Sequence, residues 1–161
     1  MKKAQITLKL FLDALGISPN ISTLADRKKV QKAVYIGQKA GVDLGYSYGW
    51  YRLGPYSPEL TKDYFALQSD LMAEDTDDQD YKLGSEALKT LTDIKYLLEV
   101  PINVDLSQDD WLELVASVIY KVTETGNVEQ TEMSLNRGKP HLMHFFDDAI
   151  KYSKQYRLIR A

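Results

Sequence analysis

At 161 residues the chain has the length of one ordinary domain, and with 44% apolar residues it can fill one continuous core but hardly a second. No stretch approaches the roughly 18 unbroken apolar residues of a membrane span, and the absence of cysteine excludes disulfides, thiolate zinc sites and thiol nucleophiles. Met1-Lys2-Lys3 leads into an amphipathic segment and not a secretory apolar run, so the expectation is a soluble cytoplasmic protein of one domain over 1–161, without membrane contact.

The net charge of −3 conceals an asymmetry: residues 1–62 carry +6, residues 63–113 carry −11, and the remainder carries +2. If these blocks also separate in space, the surface has one basic and one acidic patch.

Residues 3–15 place Leu8, Phe11, Leu12 and Leu15 at the spacing of one helix face, with Gly16 positioned as a C-terminal cap. Residues 23–40 predict a second helix, opened by the capping-box pair Thr23 and Asp26, with Val30, Ala33, Val34 and Gly37 as its buried stripe and Gly41 at its end. Tyr46 to Leu53 is rich in aromatics and predicts a strand with Tyr46, Tyr48, Trp50 and Arg52 on one face, stopped by Gly54-Pro55. Ser57 and Pro58 open a third helix that buries Leu60, Tyr64, Leu67 and Leu71.

Glu74 to Asp80 holds five carboxylates in seven residues and reads as a solvated loop; Tyr81-Lys82-Leu83 reads as a short strand pairing with 46–53. A helix follows from Ser85 to about Glu99, broken by Pro101. Ser107 with Asp109 and Asp110 starts the next, because carboxylates in a first turn meet the positive end of the helix dipole; Trp111, Leu114, Val115, Val118, Ile119 and Val122 give it a broad apolar face. A short helix around 128–136 and a longer one from Pro140, burying Leu142, Phe145, Phe146, Ala149, Ile150 and Tyr152, complete the chain. The fold class expected is mainly α, an α+β arrangement about two-thirds helical with one small two-stranded β-hairpin.

The run Lys29-Val-Gln-Lys-Ala-Val-Tyr35, followed by Tyr48-Gly-Trp-Tyr-Arg-Leu-Gly-Pro-Tyr-Ser-Pro-Glu-Leu60, resembles the YwgA-like and Panacea (SocA-like antitoxin) group of small bacterial and phage proteins. The resemblance covers roughly residues 24–71 and implies a compact, winged-helix-like helical domain that works by protein contact, in several members as a toxin-neutralising antitoxin or an adaptor to proteolysis.

Lys28, Lys32, Tyr35 and Lys39 lie along one side of the second helix, forming either a basic strip suited to carboxylates and phosphates or an ordinary solvated face, with Tyr35 equally placed for the core. Seven aromatics fall between residues 46 and 65, among them Tyr46, Tyr48, Trp50 and Tyr56. Such density suits a docking platform, or alternate rings that pack inward. Arg52 either anchors an anionic group or pairs with Asp43 or Glu59. His141, His144 and Asp148 have the spacing of a metal site but lack an intervening glutamate and any further histidine or cysteine, and Gly138-Lys139-Pro140 lacks the upstream glycine of a phosphate loop.

No cofactor, metal or catalytic residue is therefore expected. The partner-binding set is Lys28, Lys32, Tyr35, Tyr46, Tyr48, Trp50, Arg52 and Tyr56, and the function expected is a protein-interaction module, antitoxin-like or regulatory. Two alternatives stand beside it: a winged-helix DNA binder using the basic first 62 residues, and an inhibitor of phage type using the acidic stretch 70–80.

Overall fold

The computed structural model describes residues 1–160. Among them the chain forms α1 (Lys3–Leu15), α2 (Leu24–Lys39), β1 (Gly49–Tyr51), β2 (Gly54–Tyr56), α3 (Pro58–Met72), α4 (Ser85–Leu98), α5 (Gln108–Thr125), α6 (Val128–Gly138) and α7 (Phe146–Gln155). This is the mainly helical arrangement with one small antiparallel ribbon that the spacing predicts. Among the described residues no helix is long and apolar enough to cross a membrane.

Several helix ends fall where their capping residues place them. Thr23 accepts a hydrogen bond from the Asp26 N–H at 3.1 Å, and the Asp26 carboxylate accepts one from the Thr23 N–H at 3.4 Å, closing the capping box of α2. Gly16 ends α1 in the left-handed conformation, and the Ser57 hydroxyl caps α3 ahead of Pro58. One cluster of buried side chains runs through all seven helices. At its centre, α2 packs against α5 and β2 on one side and α1 on another. It is consequently buried from Val30 through Gly37 around most of its circumference, not along a stripe.

The ribbon differs from the expected one. β1 starts at Gly49, the chain turns over Arg52 and Leu53, and Gly54-Pro55-Tyr56 does not stop the strand but forms its partner, with Trp50 opposite Pro55 and Tyr51 opposite Gly54. Proline is tolerated because both strands of a two-stranded ribbon are edges. Tyr81 to Leu83 is not a strand, since the ribbon is already closed locally.

The acidic segment is also more ordered than a solvated loop. Asp77–Asp80 forms a 3-10 turn; the Met1 amino group lies 2.6 Å from Asp75 and 2.8 Å from Asp77, and buried Asp78 faces Lys9 at 3.6 Å. The single helix expected from Pro140 is divided into a 3-10 turn, Pro140–Phe145, and α7, which leaves Phe145 and Tyr152 half-buried.

Gly37 sets how closely α2 approaches its neighbours. A β-carbon there would lie 2.8 Å from Phe11 Cε1 and 3.2 Å from Leu91 Cδ2. Alanine favours helix over glycine by about 1 kcal/mol, so propensity alone makes Gly37→Ala stabilising, whereas overpacking costs roughly 1–3 kcal/mol. The expected outcome is a net loss, seen as a lower urea midpoint with an unchanged slope.

Candidate functional site

The site begins with a charge inside α5. Glu113 sits among Trp111, Leu112, Leu114 and Val115 on the buried side of the helix and is 2% exposed. An isolated carboxylate in such a place would be very costly, so it must be matched. One oxygen accepts from Lys28 of α2 at 2.8 Å, and the other accepts from Lys139, which enters from the end of α6. Lys28 also meets Asp110 at 2.7 Å and Asp109 at 3.0 Å, at the start of α5. Burial opposes its charge, but the hydrogen bonds it donates to the three carboxylates outweigh that, and its ammonium is held above the usual lysine range.

The same lysines reach the ribbon. Lys139 donates to the Arg52 carbonyl at 3.1 Å, and Lys32, one turn beyond Lys28 and 1% exposed, donates to the Pro55 carbonyl at 2.5 Å. Gln31 donates to the Ser57 carbonyl and accepts from the Ser57 N–H, both at 2.9 Å. Three side chains from α2 and the α6 end thus fix the backbone from Arg52 to Ser57. Gly54 completes the docking of the ribbon on α5: its φ is 97°, and a β-carbon would come within 2.7 Å of the buried Ser117 hydroxyl. Burial pushes the Lys32 ammonium down to about 7; the positive Lys139 and Lys28 add to this and the Glu113 charge opposes it.

These contacts correct the reading of the second helix. Lys28, Lys32 and Tyr35 do not form an exposed basic strip; all three are buried, and only Lys39 of that series is exposed. Lysine is retained inside because Glu113, Asp109, Asp110 and the ribbon carbonyls supply its partners. The Tyr35 ring meets Tyr48 edge-on at 5.0 Å and Tyr120 at 6.2 Å, and its hydroxyl is buried without a partner.

The aromatic strand is likewise divided. The Tyr46 hydroxyl donates to Asp63 at 2.7 Å, the Tyr48 hydroxyl donates to the Gln31 carbonyl at 3.3 Å, and the Tyr56 hydroxyl accepts from Thr61 at 2.6 Å, so these three half-buried rings brace α2 and α3. Trp50 packs on Tyr120 at 5.5 Å with the Lys121 ammonium 4.3 Å from its ring centre, leaving one edge open. Tyr46 and Tyr48, in the segment that leads into β1, therefore turn toward the protein, whereas Trp50 within β1 is covered on one side only and stays 36% exposed. Tyr51, of opposite parity, faces out.

Tyr51 borders a cleft of about 440 Å³ between the first half of α2, the ribbon turn and α3. Buried Lys28, Gln31 and Lys32 lie along its wall, together with Arg52, Tyr56 and Tyr64. Its mouth is ringed by Leu24, Tyr51 and Phe65, which are 60%, 49% and 51% exposed. Arg52 is exposed and forms no salt bridge among the described residues, with Asp43 and Glu59 included; its side chain is free to meet an incoming anion. His141 and His144 lie exposed on the 3-10 turn and Asp148 accepts from Asn103 at 2.9 Å; among the described residues no three metal-binding side chains converge.

Of the eight residues named from sequence, Arg52, Tyr56, Lys28 and Lys32 come together at this cleft, while Tyr35, Tyr46, Tyr48 and Trp50 lie behind or beside it. Leu24 is a rim residue the sequence does not single out, Tyr51 and Phe65 belong to the aromatic cluster but not to the partner-binding set, and Glu113 and Lys139 are supports outside that set. Glu113 does carry a signal, being a lone acid inside the apolar run 111–119. Lys139 carries none. No family model matches the chain, and neither does any curated protein or solved structure.

Two outcomes follow. Glu113→Gln keeps the shape but leaves Lys139 without its carboxylate, and losing one partner of a buried pair costs about 3–5 kcal/mol, read from urea unfolding at neutral pH. Folded Lys32 holds its proton only below about pH 7, whereas the unfolded chain holds it to near 10.5. Between those values the unfolded state binds more protons, so stability rises with pH from 7 toward 10, and below pH 7 the full cost of the buried charge is carried. In Lys32→Met that rise is flattened; an identical pH profile in variant and wild type contradicts the assignment.

Proposed function

We propose that this chain is a protein-interaction module, antitoxin-like or regulatory in role, which engages a partner protein through the cleft between α2, the ribbon turn and α3. The observation that supports it is the ring of exposed apolar side chains, Leu24, Tyr51 and Phe65, around a concave surface whose wall is rigidly held from beneath. Exposed apolar groups gathered at a concavity mark interaction sites, and a prearranged wall lowers the ordering cost of binding. The resemblance of residues 24–71 to the YwgA-like and Panacea group, which implies protein contact, concerns the same stretch that lines the cleft.

The DNA-binding alternative has less to support it. α3 exposes Glu59 and Ser69 beside Lys62, and it runs into the acidic segment 74–80, which a duplex would repel. The acidic segment itself is partly engaged with Met1 and Lys9, which weakens its case as an inhibitory surface.

The test is site-specific photocrosslinking in the cell of origin. Benzophenone side chains at Tyr51 or Phe65 should each yield one and the same covalent partner, while the exposed Met133 of α6 yields none and Leu24→Asp suppresses the adduct. If the captured protein arrests growth when produced alone, coproduction of the wild-type chain restores growth and the Phe65→Asp variant does not. Equal adducts from all three positions, or none from the cleft, would overturn the assignment.

A further inference from the structure

Filling the cleft and covering its mouth are different requirements, and together they restrict what the occupant can be. A molecule that filled only the 440 Å³ would leave Leu24, Tyr51 and Phe65 facing water. A polypeptide segment lying across the mouth removes that apolar surface as well. Charge narrows the choice further. None of the thirteen residues lining the cleft is acidic, and four are basic. Lys28 is matched by Asp109, Asp110 and Glu113, but Arg27 and Arg52 belong to no salt bridge among the described residues. Arg27 uses one guanidinium donor on the Ile21 carbonyl at 2.9 Å, out of the five such a group carries. Lys32 has the Pro55 carbonyl as its hydrogen-bond partner at the inner wall.

We infer that the cleft takes a short segment of a partner protein in which one or two bulky apolar side chains are flanked by carboxylates, the apolar groups entering between Tyr51, Tyr64 and Phe65 and the carboxylates meeting Arg52 and Arg27. This rests on the docking reading above and adds the chemistry of the partner. Planar guanidinium groups recognise carboxylates in a bidentate way, which gives the segment a direction as well as a position. A basic segment gains nothing from these arginines. A nucleic acid would use them for phosphate but would leave aliphatic Leu24 unmatched. The chain's own residues 72–81 also have this composition, with exposed Met72 and Tyr81 on either side of the acidic turn, so a second copy is a competing occupant.

The experiment is selection of short peptides displayed on phage against the wild-type protein, with depletion on Arg52→Glu and Phe65→Asp variants shown by circular dichroism to be folded. The expected outcome is enrichment of sequences pairing Leu, Phe or Trp with neighbouring Asp or Glu. Synthetic copies should bind at least about tenfold more weakly to either variant and should lose affinity as salt is raised. Enrichment of basic or uncharged peptides overturns the inference, as does displacement of the selected peptide by an oligothymidylate, or sedimentation showing a second copy in the cleft. If crosslinking at Tyr51 captures a partner whose attached segment lacks the acidic and apolar pattern, this inference falls and the docking reading stands. If neither peptide nor partner is captured at the cleft, both fall.

Discussion

Glu113 brings a negative charge into α5 where that helix is buried from Trp111 through Ile119, and the rest of the site is arranged around neutralising it. Lys28 reaches it from α2 and Lys139 from the end of α6, so this carboxylate ties two distant parts of the chain together. A buried ion pair is seldom a strong source of net stability, because desolvating both charges consumes most of the attraction; leaving one member alone is what costs several kcal/mol. The cluster therefore acts less as glue than as a constraint. It admits an arrangement in which α2, α5 and the α6 end are all in register, and in that arrangement the spare lysine donors point at the carbonyls of the ribbon.

That constraint explains how so small a ribbon has a fixed place. Two strands of three residues are only marginally stable in water, and here the turn lacks the Asn-Gly type of sequence that would set it locally. Position comes instead from Lys139 on Arg52, Lys32 on Pro55, Gln31 on Ser57 and the contact of Gly54 with α5. The consequence for function is direct: the ribbon turn is one wall of the cleft, and a wall held by buried hydrogen bonds presents Tyr51 and Arg52 at a defined distance from Leu24 and Phe65.

The periodic parts of this architecture were legible in the sequence. The helices at 3–15, 24–39, 58–72, 85–98 and 108–125 are written in apolar spacing and capping residues, which act locally. What depended on distant partners was not. Lys28 and Lys32 look like surface lysines until Glu113 and the ribbon carbonyls are brought beside them. Gly54-Pro55 looks like a terminator until Gly54 is seen to be required by the Ser117 hydroxyl. The aromatic-rich segment was recognisable as important, but alternation alone does not say which rings meet the core: Tyr48 packs inward on Tyr35, while Trp50 stays exposed beside Tyr120 and Lys121.

The central claim, that buried lysines from α2 and the α6 end hold the ribbon in place, is tested most directly by amide hydrogen exchange in wild type and Lys139→Met under conditions where both are folded. The account predicts that amides from Gly49 to Ser57 exchange about tenfold or more faster in the variant, while those of α1 and α4 keep their protection. Unchanged protection in the ribbon, or an equal loss across every helix, would contradict it.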